Sequence, residues 1–151
     1  MATSETDRFA AFFGMLGHRL EDFQRLIVEE VFSPRRETLV LIPRGCGKST
    51  LLAAVALWSL LRGRGQQIVV GAASREQAGV LFDIARQMAQ HPEIGPRVEV
   101  TRREIRTVDG WLKVIAADGP RQHGLILDLA IVDELHAHRT DELYLALRTS
   151  M

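Results

Sequence analysis

A lysine between a glycine and two hydroxyl residues is the first feature of the sequence that could do chemistry. The stretch Ile42-Pro43-Arg44-Gly45-Cys46-Gly47-Lys48-Ser49-Thr50 ends as the phosphate-binding pattern GxxxxGK[ST] does, although Ile42 replaces its first glycine. Its two glycines let the backbone curl so that N–H groups face a phosphate at a helix N-terminus. Lys48 would then pair with the β and γ phosphates, Ser49 would ligate Mg²⁺, and Thr50 would donate to the α phosphate. The stretch therefore predicts a nucleotide site.

Two adjacent carboxylates form the second group of residues that could do chemistry. Asp133 and Glu134 directly follow a four-residue apolar run, which is typical of a buried strand. At the end of such a strand, an aspartate can hold the Mg²⁺ shell and an adjacent glutamate can activate a water. A carboxylate pair by itself is more often a solvated strand end. Together with the pattern at Lys48, the pair predicts a nucleotide hydrolase.

Composition limits the classes of protein to which the chain can belong. Its 151 residues are 46% hydrophobic and 25% charged, which fits one globular domain. Lys+Arg and Asp+Glu both count 19, giving a net charge of +0, so any contact with DNA is expected to be local. A single cysteine, Cys46, and the absence of a signal-peptide pattern predict an intracellular compartment. The longest apolar run is too short for a membrane span, so no membrane insertion is expected.

Predicted helices and strands alternate along the chain. Residues 38–42 predict a buried parallel strand that enters the phosphate-binding stretch, and residues 68–70 and 129–132 predict two more buried strands. Asp109-Gly110 predicts a hairpin turn between short antiparallel strands within residues 97–116. A loop is expected over residues 117–124, and helices are expected over residues 9–16, 23–31, 48–61, 75–90 and 141–147. This order favours an α/β fold with helices on both faces of a sheet.

At these residues the chain resembles the amino-terminal ATPase domain of the large terminase subunits of tailed double-stranded DNA phages. The resemblance covers nearly the whole chain and rests on IPRGCGKST, GAASREQAGVLFDIARQM and ADGPRQHGLILDLAIVDELHAHRTDELYLAL. It implies an α/β P-loop NTPase fold, with a mostly parallel sheet, helices on both faces and a small antiparallel hairpin insertion. It also implies that Arg44 reaches the phosphates and assists hydrolysis. Gln24 is the candidate for an upstream glutamine that reads adenine, and an ordinary exposed helix residue is the alternative.

The resemblance implies a full set of site residues and partners. The cofactors would be ATP and Mg²⁺; the partners would be double-stranded DNA, other large subunits in a ring, the small terminase subunit and the portal protein, in the host cytoplasm. The implied catalytic residues are Glu134 and Arg44, the nucleotide-binding residues are Gln24, Arg44, Gly45, Cys46, Gly47, Lys48, Ser49 and Thr50, and the Mg²⁺ ligands are Ser49 and Asp133.

Two features of that family are not found in residues 1–151. The family places a coupling strand after the Asp-Glu strand and then a nuclease domain, so we expect a partial domain, a sheet truncated after the Walker B strand, and no endonuclease activity from this chain alone. Two alternatives remain open. Asp133-Glu134-Leu135-His136 has the DExH form of helicase-like ATPases, and the chain could also be a non-catalytic fragment that only binds nucleotide or partners.

Overall fold

The computed structural model describes residues 2–118 and 124–151, so the loop expected over residues 117–124 lies largely outside the described residues. Short 3-10 turns occupy Gly95–Arg97 and Leu135–Ala137. The described helices are α1 (Glu5–Met15), α2 (Asp22–Val31), α3 (Lys48–Arg62), α4 (Arg75–Ala89) and α5 (Glu142–Thr149), and the described strands are β1 (Gln67–Ala72), β2 (Glu99–Val100), β3 (Glu104–Arg106), β4 (Trp111–Ala116) and β5 (Leu129–Val132). All five predicted helices are present within a few residues of their expected bounds. No described helix is both long enough and apolar enough to cross a membrane.

The strands form one mixed sheet in the order β2-β3-β4-β1-β5. β1 lies between β4 and β5 and is parallel to both, whereas β2, β3 and β4 pair antiparallel. The sheet therefore has a parallel part of three strands and an antiparallel extension made by the predicted hairpin. This arrangement brings the carboxyl ends of β1 and β5 to one edge of the sheet, where α/β proteins bind ligands.

Side chains of β1 alternate between two cores on opposite faces of the sheet. Ile68 and Val70 belong to the larger core, which α1, α3 and α4 also fill. Val69 points the other way and packs with Leu127 and with Leu147 of α5. Because apolar residues occupy both faces of the central strand, helices must cover both faces, as the sequence predicts.

The first two helices pack against the start of the larger core. Ser4 caps α1, since its side chain accepts a hydrogen bond from the Asp7 N–H at 3.1 Å. Phe9 is fully buried and stacks on Phe13, with ring centroids 5.7 Å apart. Trp58 of α3 donates to Glu5 at 2.7 Å, which fixes α1 against the helix that leaves the phosphate-binding loop.

The prediction of a buried strand over residues 38–42 is wrong. These residues form no strand, and Leu39 and Leu41 are 74% and 85% exposed. The physical reason is the lack of a neighbour, because β5 pairs with β1 on one side and with no described strand on the other. A β-rich sequence cannot form a strand without backbone partners. Glu37, just before this segment, is instead held by Tyr144 of α5, whose hydroxyl donates to it at 2.6 Å.

Candidate functional site

The predicted phosphate-binding loop, residues 42–47, runs into the first turn of α3. Gly45 and Gly47 have φ values of +81° and +68°, in the left-handed region where a side chain is strained. Gly47 is the N-cap of α3, and Lys48 is the first residue of the helix. The loop therefore presents backbone N–H groups and the positive end of a helix dipole to the same space, which suits a phosphate group.

An open cleft of 520 Å³ lies over this loop. Two segments of the chain line it: the phosphate-binding loop on one side and the residues after β5 on the other, with one residue of α4. The lining residues are Pro43, Arg44, Gly45, Gly47, Lys48, Ser49, Thr50, Gln77, Glu134, His136 and Ala137. The structure thus brings six of the predicted nucleotide-binding residues together with the predicted catalytic Glu134. Arg44 is exposed at this cleft.

Lys48 bridges the loop and the acidic end of β5. Its Nζ lies 2.5 Å from Glu134 Oε1 and 3.2 Å from Asp133 Oδ1. Partial burial disfavours the charge of the ammonium, but the hydrogen bond to Glu134 and the ion pair with Asp133 outweigh it and raise the pKa of Lys48. The same hydrogen bond lowers the pKa of Glu134, and the charges of His136 and Arg44 act in the same direction. The site therefore pairs a protonated lysine with an ionised glutamate.

Glu134 is held in an unusual backbone conformation. Its φ of +50° and ψ of +48° are left-handed, and among the described residues it is the one non-glycine residue with positive φ. Such strain is costly and is typical of functional sites. The turn that follows is tied back to the strand end, because His138 Nε2 lies 2.9 Å from the Asp133 carbonyl oxygen. This contact holds the main chain where the two carboxylates leave β5.

The oxygen atoms of Asp133 and Ser49 fit a magnesium ion whose further ligands would come from the phosphates. Asp133 is 6% exposed, and its Oδ1 makes the ion pair with Lys48 but accepts no hydrogen bond of regular geometry from the described residues. A buried carboxylate oxygen with spare capacity can accept a hydrogen bond from a metal-bound water. Ser49 lines the adjoining cleft. The part of the chain that is described contains no group of three or more His, Cys, Asp or Glu side chains able to hold a metal alone.

Gln24 lies beside the loop, although it is far from it in sequence. It is 6% exposed, so its interpretation as an ordinary exposed helix residue is wrong. Its Nε2 donates to the Cys46 carbonyl oxygen at 3.2 Å, and its Oε1 accepts from the Glu21 N–H at 3.0 Å. Cys46 thus contacts Gln24 through its backbone carbonyl group, and the residue is half-buried.

Four residues of the cleft were not predicted as site residues from the sequence: Pro43, Gln77, His136 and Ala137. Gln77 comes from the first turn of α4, where the spacing to Ser74 indicates only a helix cap, and that cap is present at 3.2 Å. His136 Nε2 lies 3.1 Å from Glu134 Oε2. The sequence does contain a signal for Gln77 and His136. Each follows the carboxyl end of a parallel strand, β1 or β5, and these ends lie at the edge of the sheet that the loop also occupies.

Known proteins resemble this chain in sequence and in fold. It is 32% identical over 127 residues to the terminase large subunit of Enterobacteria phage HK97, covering 77% of this chain and 25% of that protein. The chain therefore spans about a quarter of the length of this curated relative. The crystal structure of the HK97 large terminase matches with a TM-score of 0.88 and 28% identity, covering 99% of this chain and 35% of that chain.

A more distant structure and a family profile complete the comparison. The large terminase ATPase domain of Thermus phage P74-26 matches with a TM-score of 0.74 and 21% identity, covering 99% of this chain and 65% of that chain, which shows a common fold. The family profile described as "Terminase large subunit, ATPase domain" matches residues 22–151, leaving only α1 and its flanking residues outside. The resemblance read from the motifs is thereby confirmed. The chain belongs to the ATPase-domain family of terminase large subunits.

Proposed function

We propose that this chain binds ATP with Mg²⁺ in the cleft over the phosphate-binding loop and hydrolyses it to drive packaging of viral DNA. The observation that carries the proposal is the contact of Lys48 Nζ with Glu134 Oε1 at 2.5 Å. One cation that serves phosphates and one carboxylate able to act as a base meet at a helix N-terminus. This combination suits phosphoryl transfer to water.

Binding of ATP requires Lys48 to exchange its partners. Without nucleotide its ammonium is neutralised by Glu134 and Asp133. A triphosphate seated on the Gly45 and Gly47 N–H groups would bring more negative charge and take over the ammonium, which releases both carboxylates from Lys48. Glu134 would then be ionised beside the γ-phosphate with His136 as its remaining neighbour, and an ionised carboxylate is the state that a general base needs.

The other cleft residues have complementary tasks. Ser49 and Asp133 would hold Mg²⁺, which neutralises charge that develops on the phosphate oxygens. Thr50 donates to the α phosphate. Arg44 is exposed at the cleft and reaches the phosphates as a second cation, stabilising the negative charge of the transition state.

The biological setting is also part of the proposal. Double-stranded DNA, further large subunits in a ring, the small terminase subunit and the portal protein are the proposed partners, and the host cytoplasm is the proposed location. Family membership supports these assignments. The helicase-like alternative has no comparable support.

A binding titration with and without Lys48 tests the proposal. We expect Lys48→Ala to weaken Mg·ATP binding by roughly 10- to 150-fold, since a charge-assisted hydrogen bond contributes about 1.5–3 kcal/mol. Fluorescence titration with a labelled ATP analogue measures the affinity. Lys113→Ala is the matched control, because Lys113 is the other lysine of the chain and lies on β4 against Trp111 and Glu104. Equal affinities of wild type and Lys48→Ala would refute the nucleotide site.

A further inference from the structure

Both polar ends of the Gln24 side chain are engaged inside the protein. Oε1 accepts from the Glu21 N–H and completes a capping box at the start of α2, and Nε2 donates to the Cys46 carbonyl oxygen. With 6% of its surface exposed, the side chain lies between two backbone segments that are more than 20 residues apart. Gln24 therefore connects α2 to the phosphate-binding loop.

The contact is made at the peptide that joins Cys46 to Gly47, the N-cap of α3. The Cys46 C=O and the Gly47 N–H belong to one planar trans peptide, so they point in opposite directions. Because Gln24 holds the carbonyl on the α2 side, the Gly47 N–H is directed away from α2. Gly47 lines the cleft, whereas Cys46 does not.

Close packing strengthens this control over the peptide. A Cβ added at Gly47 would lie 3.3 Å from Gln24 Nε2, so the amide sits directly against the glycine backbone. Gly45 and Gly47 lack a side chain that would restrict the rotation of the backbone. The Cys46–Gly47 peptide therefore needs an external anchor to keep one orientation.

We propose that Gln24 is a positioning residue for the triphosphate rather than a reader of adenine. It fixes the Cys46–Gly47 peptide so that its N–H faces the phosphates. The inference rests on the proposed nucleotide site but assigns Gln24 a task that does not depend on the base. Every ligand with a polyphosphate chain should gain equally from it.

The test compares three ligands and four proteins by titration calorimetry. The ligands are Mg·ATP, Mg·GTP and magnesium tripolyphosphate, and the proteins are wild type, Gln24→Ala, Gln24→Glu and Glu21→Ala. Gln24→Glu retains an acceptor for the Glu21 N–H and so preserves the start of α2, but it cannot donate to the Cys46 carbonyl. Glu21→Ala weakens the same helix start and leaves the Gln24 amide in place.

We expect both Gln24 variants to weaken all three ligands by the same factor, roughly 2- to 13-fold for one hydrogen bond. Glu21→Ala should lower the melting temperature and leave the three affinities unchanged. A loss for ATP alone, with tripolyphosphate unaffected, would overturn the inference in favour of adenine recognition. Unchanged affinities for all three ligands would also overturn it.

A second readout separates this inference from the proposed function. In the protein without nucleotide, the NMR order parameter of the Gly47 N–H should be lower in Gln24→Glu than in wild type, because the peptide loses its anchor, and Glu21→Ala should not change it. If wild type bound none of the three ligands, the proposed function would fail while the order parameter still reported on the anchor. Equal order parameters in all proteins would show that Gln24 does not hold the peptide.

Discussion

Lys48 and Glu134 neutralise each other across the cleft, and this pairing explains the protonation state of both residues. The hydrogen bond between them lowers the pKa of Glu134, and the contacts with both carboxylates raise the pKa of Lys48 despite the partial burial of the ammonium. Before nucleotide binds, the proposed base is occupied by the cation that the phosphates need. In the proposed mechanism, binding of nucleotide and activation of the base are therefore one exchange of partners.

Replacing Glu134 with glutamine should separate binding from turnover. The amide keeps the shape of the side chain but cannot accept a proton from water, so we expect the ATPase rate of any hydrolysing form of the protein to fall by about 10²- to 10⁴-fold. Affinity for Mg·ATP should be equal or higher, because Lys48 loses a competing carboxylate. Single-turnover kinetics and a binding titration measure the two effects, with the exposed Glu93→Gln as control. An unchanged hydrolysis rate would mean that another residue is the base.

At the scale of secondary-structure elements, one ionised carboxylate links α1 to α2. Hydrogen bonds from Ser4 and Arg25 hold the pKa of Asp7 below its ordinary value. Ser4 Oγ donates to Asp7 Oδ2 at 2.7 Å, and the Arg25 guanidinium donates to the other oxygen. This cluster joins the N-terminus of α1 to the middle of α2.

The stabilisation from Asp7 should disappear in acid. Because the pKa of the folded state is lowered, the contribution is complete above the ordinary value of 3.8 and is lost as the pH falls through the lower folded value. Asp7→Asn should therefore unfold at a lower urea concentration than wild type near pH 7, and the two midpoints should converge below pH 3.8. Midpoints that differ by the same amount at every pH would contradict this role of the carboxylate.

The hairpin between β3 and β4 needs a glycine for a reason other than its φ. A Cβ at Gly110 would lie 2.6 Å from the Gln66 carbonyl oxygen, so the turn packs directly on the chain that enters β1. We expect Gly110→Ala to destabilise the protein by about 1–3 kcal/mol, because backbone must move to admit the methyl group. Gly79→Ala is the matched control on α4, where no described atom beyond the adjacent residues and the nearby helix backbone lies within 4 Å of the added Cβ. It should stabilise by about 0.5–1 kcal/mol through helix propensity, as urea unfolding would measure.

Most elements could be predicted from the sequence because they depend on local patterns. The apolar stripe after Ser74 has helical periodicity and a capping residue, and the apolar run before Asp133 has the length and composition of a strand. Residues 38–42 have an equally good strand pattern, yet they form no strand, because pairing depends on a neighbour that a local pattern does not specify. The contact of Gln24 with Cys46 could not be predicted for the same reason, since it joins residues that only the fold brings together.

At the scale of the whole molecule, the described sheet ends at β5, the strand that Asp133 and Glu134 follow. All four residues of β5 are only half-buried, and its outer edge pairs with no described strand. Within residues 38–42, Leu39 and Leu41 are exposed while Val40 and Ile42 are half-buried. An apolar segment with alternating exposure and an open strand edge are each suited to pair with a further strand. The relatives are longer than this chain, so they have additional residues that could supply one.

We expect a longer chain, extended through the next strand of the family fold, to melt at a higher temperature and to hydrolyse ATP faster than residues 1–151. The added strand would pair with β5 and with residues 38–42, which fixes Glu134 and the phosphate-binding loop relative to each other. Thermal melting and steady-state ATPase assays of the two chains measure the effect.

Leu41→Lys provides the internal control for this comparison. In residues 1–151 its side chain is 85% exposed, so the substitution should change stability by less than about 0.5 kcal/mol. In the longer chain residues 38–42 would form a strand of the parallel sheet, whose two faces are both covered, and burying an unpaired ammonium on either face should cost several kcal/mol. A cost confined to the longer chain would establish that the new strand covers this segment. Equal melting temperatures, equal rates and an equal effect of Leu41→Lys in both chains would show that the sheet is already complete at β5.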